Sequence, residues 1–231
     1  MNGKVVEGSI PQIMSQTFFV MVKPDGMGSV ARIRQMILDH FLKNREEANL
    51  LGARTVMASR EVVLQHYAKP DEWLIKYGRK ILKAKNKFSD DYQVPDEQAL
   101  TEGKKIPEAI ADYMAGRPMW AMVLSSSALN TFELIREVLG DTQPSSAKEG
   151  TIRKAFSDDS FHAAWTEPSG ARAIHNVCHA SESAEEAFRE VRIYFDEESA
   201  GVYFKDYLKE VARKENEDLI RLGRSAGKSS L

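Results

Sequence analysis

Cysteine is nearly absent: Cys178 stands alone among 231 residues, which excludes an internal disulfide and fits a reducing compartment. No apolar run approaches the roughly 18 residues that a membrane-spanning helix needs. Charge of one sign is not in surplus, since 32 basic and 34 acidic residues give a formal net charge of −2. A dedicated nucleic-acid binder carries a basic excess, so no nucleic acid is expected as a partner. The N-terminal stretch Met1 to Gln16 has one lysine and no apolar block, so no signal peptide is expected there. Internal repeats are also missing. What remains is 42% hydrophobic and 29% charged, enough to bury a core beneath a polar surface. The expectation is a cytoplasmic globular protein of one domain spanning residues 1–231.

The apolar run Thr17 to Lys23 (TFFVMVK) is rich in aromatic and β-branched residues and stops at Pro24-Asp25-Gly26, which predicts a strand ended by a turn. Val30, Ile33, Ile37 and Phe41 then recur at helical spacing. Leu50 to Met57 predicts a second strand, and Ser59 can cap a helix over Val62 to Tyr67. Residues from about 68 to 116 are rich in Lys, Asp and Glu and contain Pro70 and Pro95. They predict a helical insertion packed on the surface, with a polar loop near Lys85 to Gln98. Pro118 to Leu124 predicts a third strand, followed by a helix carrying Leu129, Phe132, Ile135 and Leu139 and closed by Gly140. Ser157 to Gly170 gives no signal beyond turns. Ala173 to His179 predicts a fourth strand, and Ser183 with Glu186 forms a capping box for a helix whose buried stripe is Ala184, Ala187, Phe188 and Val191. A C-terminal extension from about 197 to 231 adds one amphipathic segment (Phe204, Tyr207, Leu208, Val211) and a Lys/Ser end. This order suits an α+β ferredoxin-like βαββαβ sandwich with an antiparallel four-stranded sheet; a doubly wound parallel sheet is the competing topology.

Two glycine-rich stretches invite a phosphate-loop reading. Gly26-Met27-Gly28-Ser29-Val30-Ala31 matches G-x-G-x-x-A, but no acidic residue stands at the end of the second strand to hold a ribose, so an ordinary turn is expected. Gly223 to Ser229 (GRSAGKS) lacks both a preceding strand and a following helix, and reads as a disordered tail. His175, Cys178 and His179 are possible metal ligands. On a strand, however, Cys178 faces away from the two histidines, and no fourth ligand is in sight, so no metal centre is expected.

His179 admits a sharper reading. It precedes a capped helix, whose N-terminus favours an anion, and a neutral imidazole is a competent nucleophile near pH 7. Glu190 lies seven residues beyond Ser183 on the same helical face, where its carboxylate can hold one ring nitrogen and orient the other. The plainer alternative is a strand-end histidine bonded to nearby backbone, and spacing alone leaves the two level. Lys23, Tyr67, Arg136, Thr142 and Arg153 are ordinary surface residues one by one; converging, they would clamp a polyphosphate.

The chain resembles the nucleoside diphosphate kinase family. The resemblance rests on Val22-Lys23-Pro24-Asp25-Gly26, His66-Tyr67, Val138-Leu139-Gly140-Asp141-Thr142, Gly150-Thr151-Ile152-Arg153 and Asn176-Val177-Cys178-His179-Ala180-Ser181-Glu182-Ser183, in that order. Together they span most of residues 17–195 outside the insertion. The resemblance implies that His179 takes the γ-phosphoryl of ATP as a phosphohistidine and passes it to a nucleoside diphosphate by a ping-pong route. It implies that Glu190 orients His179, that Ser181 supports Glu190, and that Lys23, Tyr67, Arg136, Thr142, Arg153 and Asn176 hold phosphates and sugar. Mg²⁺ would ride on the nucleotide rather than in a protein cage, and the chain would form a homo-oligomer, hexameric or tetrameric. A regulatory or scaffold member of the same fold with weak turnover is the alternative function.

Departures from the family pattern are local. Glu182 stands where Asp is usual, Gln143 where Asn is common, and Lys154-Ala155-Phe156 where Gly-Asp-Phe is typical. The loop between Arg153 and Asn176 is longer than in compact members. The stretch from Tyr67 to Pro118 is longer too and replaces the region of the base-stacking aromatic, leaving Trp73, Leu74 or Ile75 as candidates. Strand alternation puts Asn176 and His179 on opposite faces, so the strand must end or twist near Val177.

Overall fold

A computed structural model describes residues 16–86, 93–167 and 172–226. Predictions for the N-terminal stretch, part of the Lys85 to Gln98 loop, the end of the Ser157 to Gly170 segment and residues 227–231 fall outside that range.

Four strands form one antiparallel sheet in the order β2-β3-β1-β4. β1 (Gln16–Val22) is central and pairs with β3 (Met119–Ser126) on one side and β4 (Cys178–Ala180) on the other; β2 (Ala48–Val56) pairs with β3. The helices fall into place around it as the ferredoxin-like connection requires. After β1 a 3-10 turn (Pro24–Ser29) leads into α1 (Val30–Lys43), which buries Ile33, Ile37 and Phe41 as their spacing predicts. α2 (Arg60–His66), α3 (Asp71–Asn86), α4 (Asp96–Gly103) and α5 (Lys105–Met114) separate β2 from β3. Between β3 and β4 run α6 (Thr131–Leu139), α7 (Ile152–Phe156) and α8 (Phe161–Trp165), and β4 is followed by α9 (Ala184–Tyr194), α10 (Glu197–Tyr203) and α11 (Lys205–Ala226).

Because β1 alternates its side chains between two covered faces, six of its seven residues are buried. Phe18, Val20 and Val22 join α1 and α6 in one apolar cluster. Phe19 and Met21 join α2, α5, α9 and α10 in a second. Caps hold where the sequence supplies them: Ser59 accepts from Val62 N and Ser183 from Glu186 N. Glu186 does not complete the reciprocal half of its capping box, because its carboxylate pairs with Arg189 instead.

The structure corrects the sequence reading in several places. Leu129 lies outside α6 and is largely exposed; Leu134 and Val138 fill the buried face beside Ile135 and Leu139. α5 is not surface decoration, since Ala111, Tyr113 and Met114 enter the second cluster. Its apolar positions recur at helical spacing inside a stretch whose Lys and Glu content hides them. α8 arises where only turns were expected, capped by Ser160. Of the glycine-rich stretch at 223–229, residues 223–226 continue α11 and the rest lie outside the described residues. β4 is shorter than predicted, and its late start matters for the site.

Candidate active site

The site is built on two backbone turns that meet. Cys178 N donates to Asn176 O at 2.6 Å while Val177 has φ +55°, a γ-turn centred on a β-branched residue. That turn ends the extended run before β4 begins, and so resolves the conflict between Asn176 and His179. Its strain is held by partners on the first turn: Val177 N donates to Asp25 Oδ2 (3.0 Å), and Val177 O accepts from Lys23 N (2.8 Å). Asp25 is itself fixed, because the Tyr113 hydroxyl donates to its Oδ1 and accepts from its N–H. Gly26 permits the approach, since a Cβ there would sit 2.7 Å from Val177 O.

Lys23, only 6% exposed, donates to Asn176 Oδ1 at 2.7 Å, and Asn176 Nδ2 donates to Thr142 O at 2.9 Å. Burial, with Arg153 nearby, lowers the Lys23 ammonium to a pKa of about 8. Arg153 donates to Gly140 O (2.8 Å) and to Cys178 O (3.1 Å), which ties the end of α6 to β4. Gly140 takes φ +84° and ψ −177° there, a backbone region open essentially to glycine alone. Asp159 fixes the approach to Asn176: it binds Arg172 through both oxygens and accepts from His175 N. Nothing in the sequence reading singled out Asp159, which stands in a segment that looks like plain turn.

His179 opens onto the cleft from β4. Its Nε2 lies 2.7 Å from Glu190 Oε1, and Ser181 Oγ donates to Glu190 Oε2 at 2.6 Å. Burial opposes ionisation of Glu190, yet His179 and Ser181 outweigh it and hold the carboxyl below its usual range. A carboxylate only accepts, so Nε2 carries a ring proton, and in the neutral ring Nδ1 keeps the lone pair. The sequence reading placed Glu190 on the Ser183 face of the helix as the carboxylate that holds one ring nitrogen of His179, and the structure puts it within hydrogen-bond reach, well inside α9.

His66 and Tyr67, at the end of α2, pack edge-on against the His179 ring at centroid distances of 4.7 and 5.9 Å. The Tyr67 hydroxyl, the Arg153 Nε and both ring nitrogens of His66 are buried without a hydrogen-bond partner. The Tyr194 hydroxyl is a further group of this kind; such groups are uncommon in a folded protein, and His66, Tyr67 and Arg153, unlike Tyr194, line the cleft. The sequence reading quoted His66 in a motif but gave it no role; its burial is visible only in three dimensions.

Lys23, Tyr67, Arg136, Thr142, Arg153, Asn176, His179 and Glu190 line one cleft of about 690 Å³, with Ser181 behind Glu190. Arg136 and Thr142 are exposed at its rim. Of the three stacking candidates Trp73 lines the cleft, Leu74 is buried between α3 and α4, and Ile75 does not reach it. Trp73 stacks on Tyr77 at 4.1 Å, and the facing wall, α8, carries a stacked pair of Phe161 and Trp165 at 4.7 Å. Cys178 points into the first core cluster, where burial raises its thiol to about 11, so it is no nucleophile at neutral pH.

The geometry has counterparts among known proteins. A family model described as nucleoside diphosphate kinase matches residues 71–200. A nucleoside diphosphate kinase of Pyrobaculum aerophilum is 33% identical over 183 residues, covering 78% of this chain and 94% of that protein. One from Pyrococcus furiosus is 33% identical over 130 residues, covering 56% and 73%. The crystal structure of an NDP kinase from Pyrobaculum aerophilum superposes with a TM-score of 0.65 at 30% identity, covering 81% of this chain and 99% of that one.

Proposed function

The chain belongs to the nucleoside diphosphate kinase family and is a nucleoside diphosphate kinase, a phosphotransferase; from that premise we propose that it works by a ping-pong route through a phosphohistidine on His179 Nδ1. The observation that carries this reading is the 2.7 Å bond between His179 Nε2 and Glu190, which leaves Nδ1 as the ring nitrogen with a free lone pair on the cleft. In the first half-reaction the lone pair attacks the γ-phosphorus of ATP. The P–N bond forms as the bridging P–O bond breaks, and ADP leaves with that electron pair. An acceptor nucleoside diphosphate then reverses the step through its terminal phosphate oxygen. Glu190 balances the charge that grows on the imidazole, and Ser181 fixes the Glu190 rotamer.

Transfer of this kind needs alignment and charge stabilisation more than proton transfer. Lys23 and Arg153 would hold the phosphoryl oxygens, Tyr67 and Asn176 would position phosphates and sugar, and Arg136 with Thr142 would close the rim. The unpartnered Tyr67 hydroxyl and Arg153 Nε support a phosphate-bearing ligand here. Trp73 would carry the base, and stacking on an aromatic face tolerates every base. Lys23, Arg136 and Arg153 line the cleft together with Asp141, Glu182 and Glu186, and Mg²⁺ would arrive on the nucleotide and neutralise phosphate charge there. We further read the chain as a single domain and as a cytoplasmic homo-oligomer, hexameric or tetrameric. The outer edge of β2 and the exposed Leu42, Leu50 and Leu51 support an interface between copies. No described helix is long and apolar enough to cross a membrane.

Mixing the enzyme with ATP and Mg²⁺, with no nucleoside diphosphate added, tests the route. A ping-pong enzyme releases a stoichiometric burst of ADP by the first half-reaction alone, and His179→Ala abolishes it. ADP released only when an acceptor nucleotide is present contradicts the covalent route.

A further inference from the structure

His66, His179 and Glu190 each bring one potential metal-ligand atom to a common point, and the three atoms lie within 4.8 Å of one another. His179 Nε2 is 2.7 Å from Glu190 Oε1, and His66 Nε2 is 3.7 Å from the same oxygen. Donors held about 2.0–2.1 Å from a tetrahedral ion stand about 3.3 Å apart, so the two separations bracket the required one. Side-chain rotations that open the 2.7 Å pair and draw the two rings together would admit the ion, the third pair lying within 4.8 Å. His66 is 2% exposed and neither of its ring nitrogens has a partner, although one lies close to a carboxylate.

We propose that His66, His179 and Glu190 form a binding site for a divalent transition-metal ion of the zinc class, and that filling it switches the enzyme off. Two imidazoles and one carboxylate suit Zn²⁺, whose catalytic-type sites take three protein ligands. Mg²⁺ demands an octahedral oxygen shell and gives up its waters reluctantly, so excess Mg²⁺ and Mg-nucleotide do not compete for these nitrogens. The inhibitory step is a proton relocation. An ion on His179 Nε2 displaces the proton that Glu190 held there, and the neutral ring then carries its proton on Nδ1. The lone pair that would attack phosphorus is gone, and Glu190 is spent on the metal. This second half of the proposal rests on the phosphohistidine reading; the binding half does not.

The test uses the full chain, stripped with a chelator and titrated with Zn²⁺ in the presence of excess Mg²⁺. One ion per chain is expected, and His66→Ala lowers the affinity by at least about 10–100-fold, the loss that even outer-shell partners bring. Zinc that binds no better than to His66→Ala, or no zinc at all, overturns the site. Where circular dichroism shows that His66→Ala has not folded, X-ray absorption at the zinc edge of the wild-type protein decides. Two coordinated imidazoles support the site; one or none overturns it. Phosphotransfer that survives stoichiometric zinc overturns the switch. Binding is read without turnover, so a chain that takes zinc here and transfers no phosphoryl group contradicts the proposed reaction and not the site.

Discussion

On the proposed route Glu190 decides which ring nitrogen of His179 reacts, because a carboxylate can only accept and so pins the proton on Nε2. Glu190→Gln keeps the shape but lets the amide donate, which favours the proton on Nδ1. The expected result is a loss of kcat on the order of 10²–10⁴ with little change in nucleotide binding. Steady-state kinetics beside a binding titration checks it; an unchanged kcat would remove Glu190 from the mechanism. Lys23 makes a prediction of a different kind. With its pKa lowered to about 8, the free enzyme loses this charge as pH rises through that value, and kcat/KM for ATP falls with it. Lys23→Arg keeps its charge, so its profile stays flat there on a lower plateau; the same falling limb in the variant would assign it to another group. For stability the sign is opposite. Between about 8 and the ordinary lysine value of 10.5 the unfolded chain binds more protons than the native one, so this group makes the fold more stable as pH rises through that window.

At the scale of elements, α3 is the piece that gives this cleft its aromatic wall, and it depends on close packing against α4. A Cβ on Gly78 would run into the backbone carbonyl of Ala99, and one on Gly103 into that of Leu74. Gly78→Ala should therefore destabilise the protein by about 1–3 kcal/mol despite the better helix propensity of alanine. Displacing Trp73 with α3 should raise KM for nucleotides more than it lowers kcat. Thermal melting and kinetics read the two effects, and a stabilised variant with unchanged KM would contradict this packing.

Elements also show what the sequence could and could not disclose. The β1, β3 and α1 patterns were legible because one periodicity dominates each of them. Glu190 was legible because helical spacing brings it onto the Ser183 face. The Val177 γ-turn was legible only as a contradiction between Asn176 and His179: no sequence signal marks a valine at φ +55°. α8 left a faint trace, an aromatic pair at i and i+4 behind a capping serine, too short to outweigh its turn-rich surroundings. His66 and Asp159 were illegible as site residues, because their importance lies in what tertiary folding brings beside them.

Across the whole molecule, the central strand β1 is where both cores meet. Its even-numbered residues face α1 and α6, and Phe19 and Met21 face the side that carries α2, α5 and α9. Lys23 directly follows β1, and the pairing of Met21 with His179 sets the proposed nucleophile one strand away from that cation. A rigid, doubly covered strand thus positions the reacting groups, while the rim and aromatic walls come from the longer connections. The account stands on one covalent species. Incubation with γ-labelled ATP and Mg²⁺, followed by digestion, should place an acid-labile, alkali-stable label on His179, and an added nucleoside diphosphate should remove it as the triphosphate. A wild-type protein that binds ATP and transfers phosphoryl groups, yet carries no label on His179 at any stage, would contradict the account.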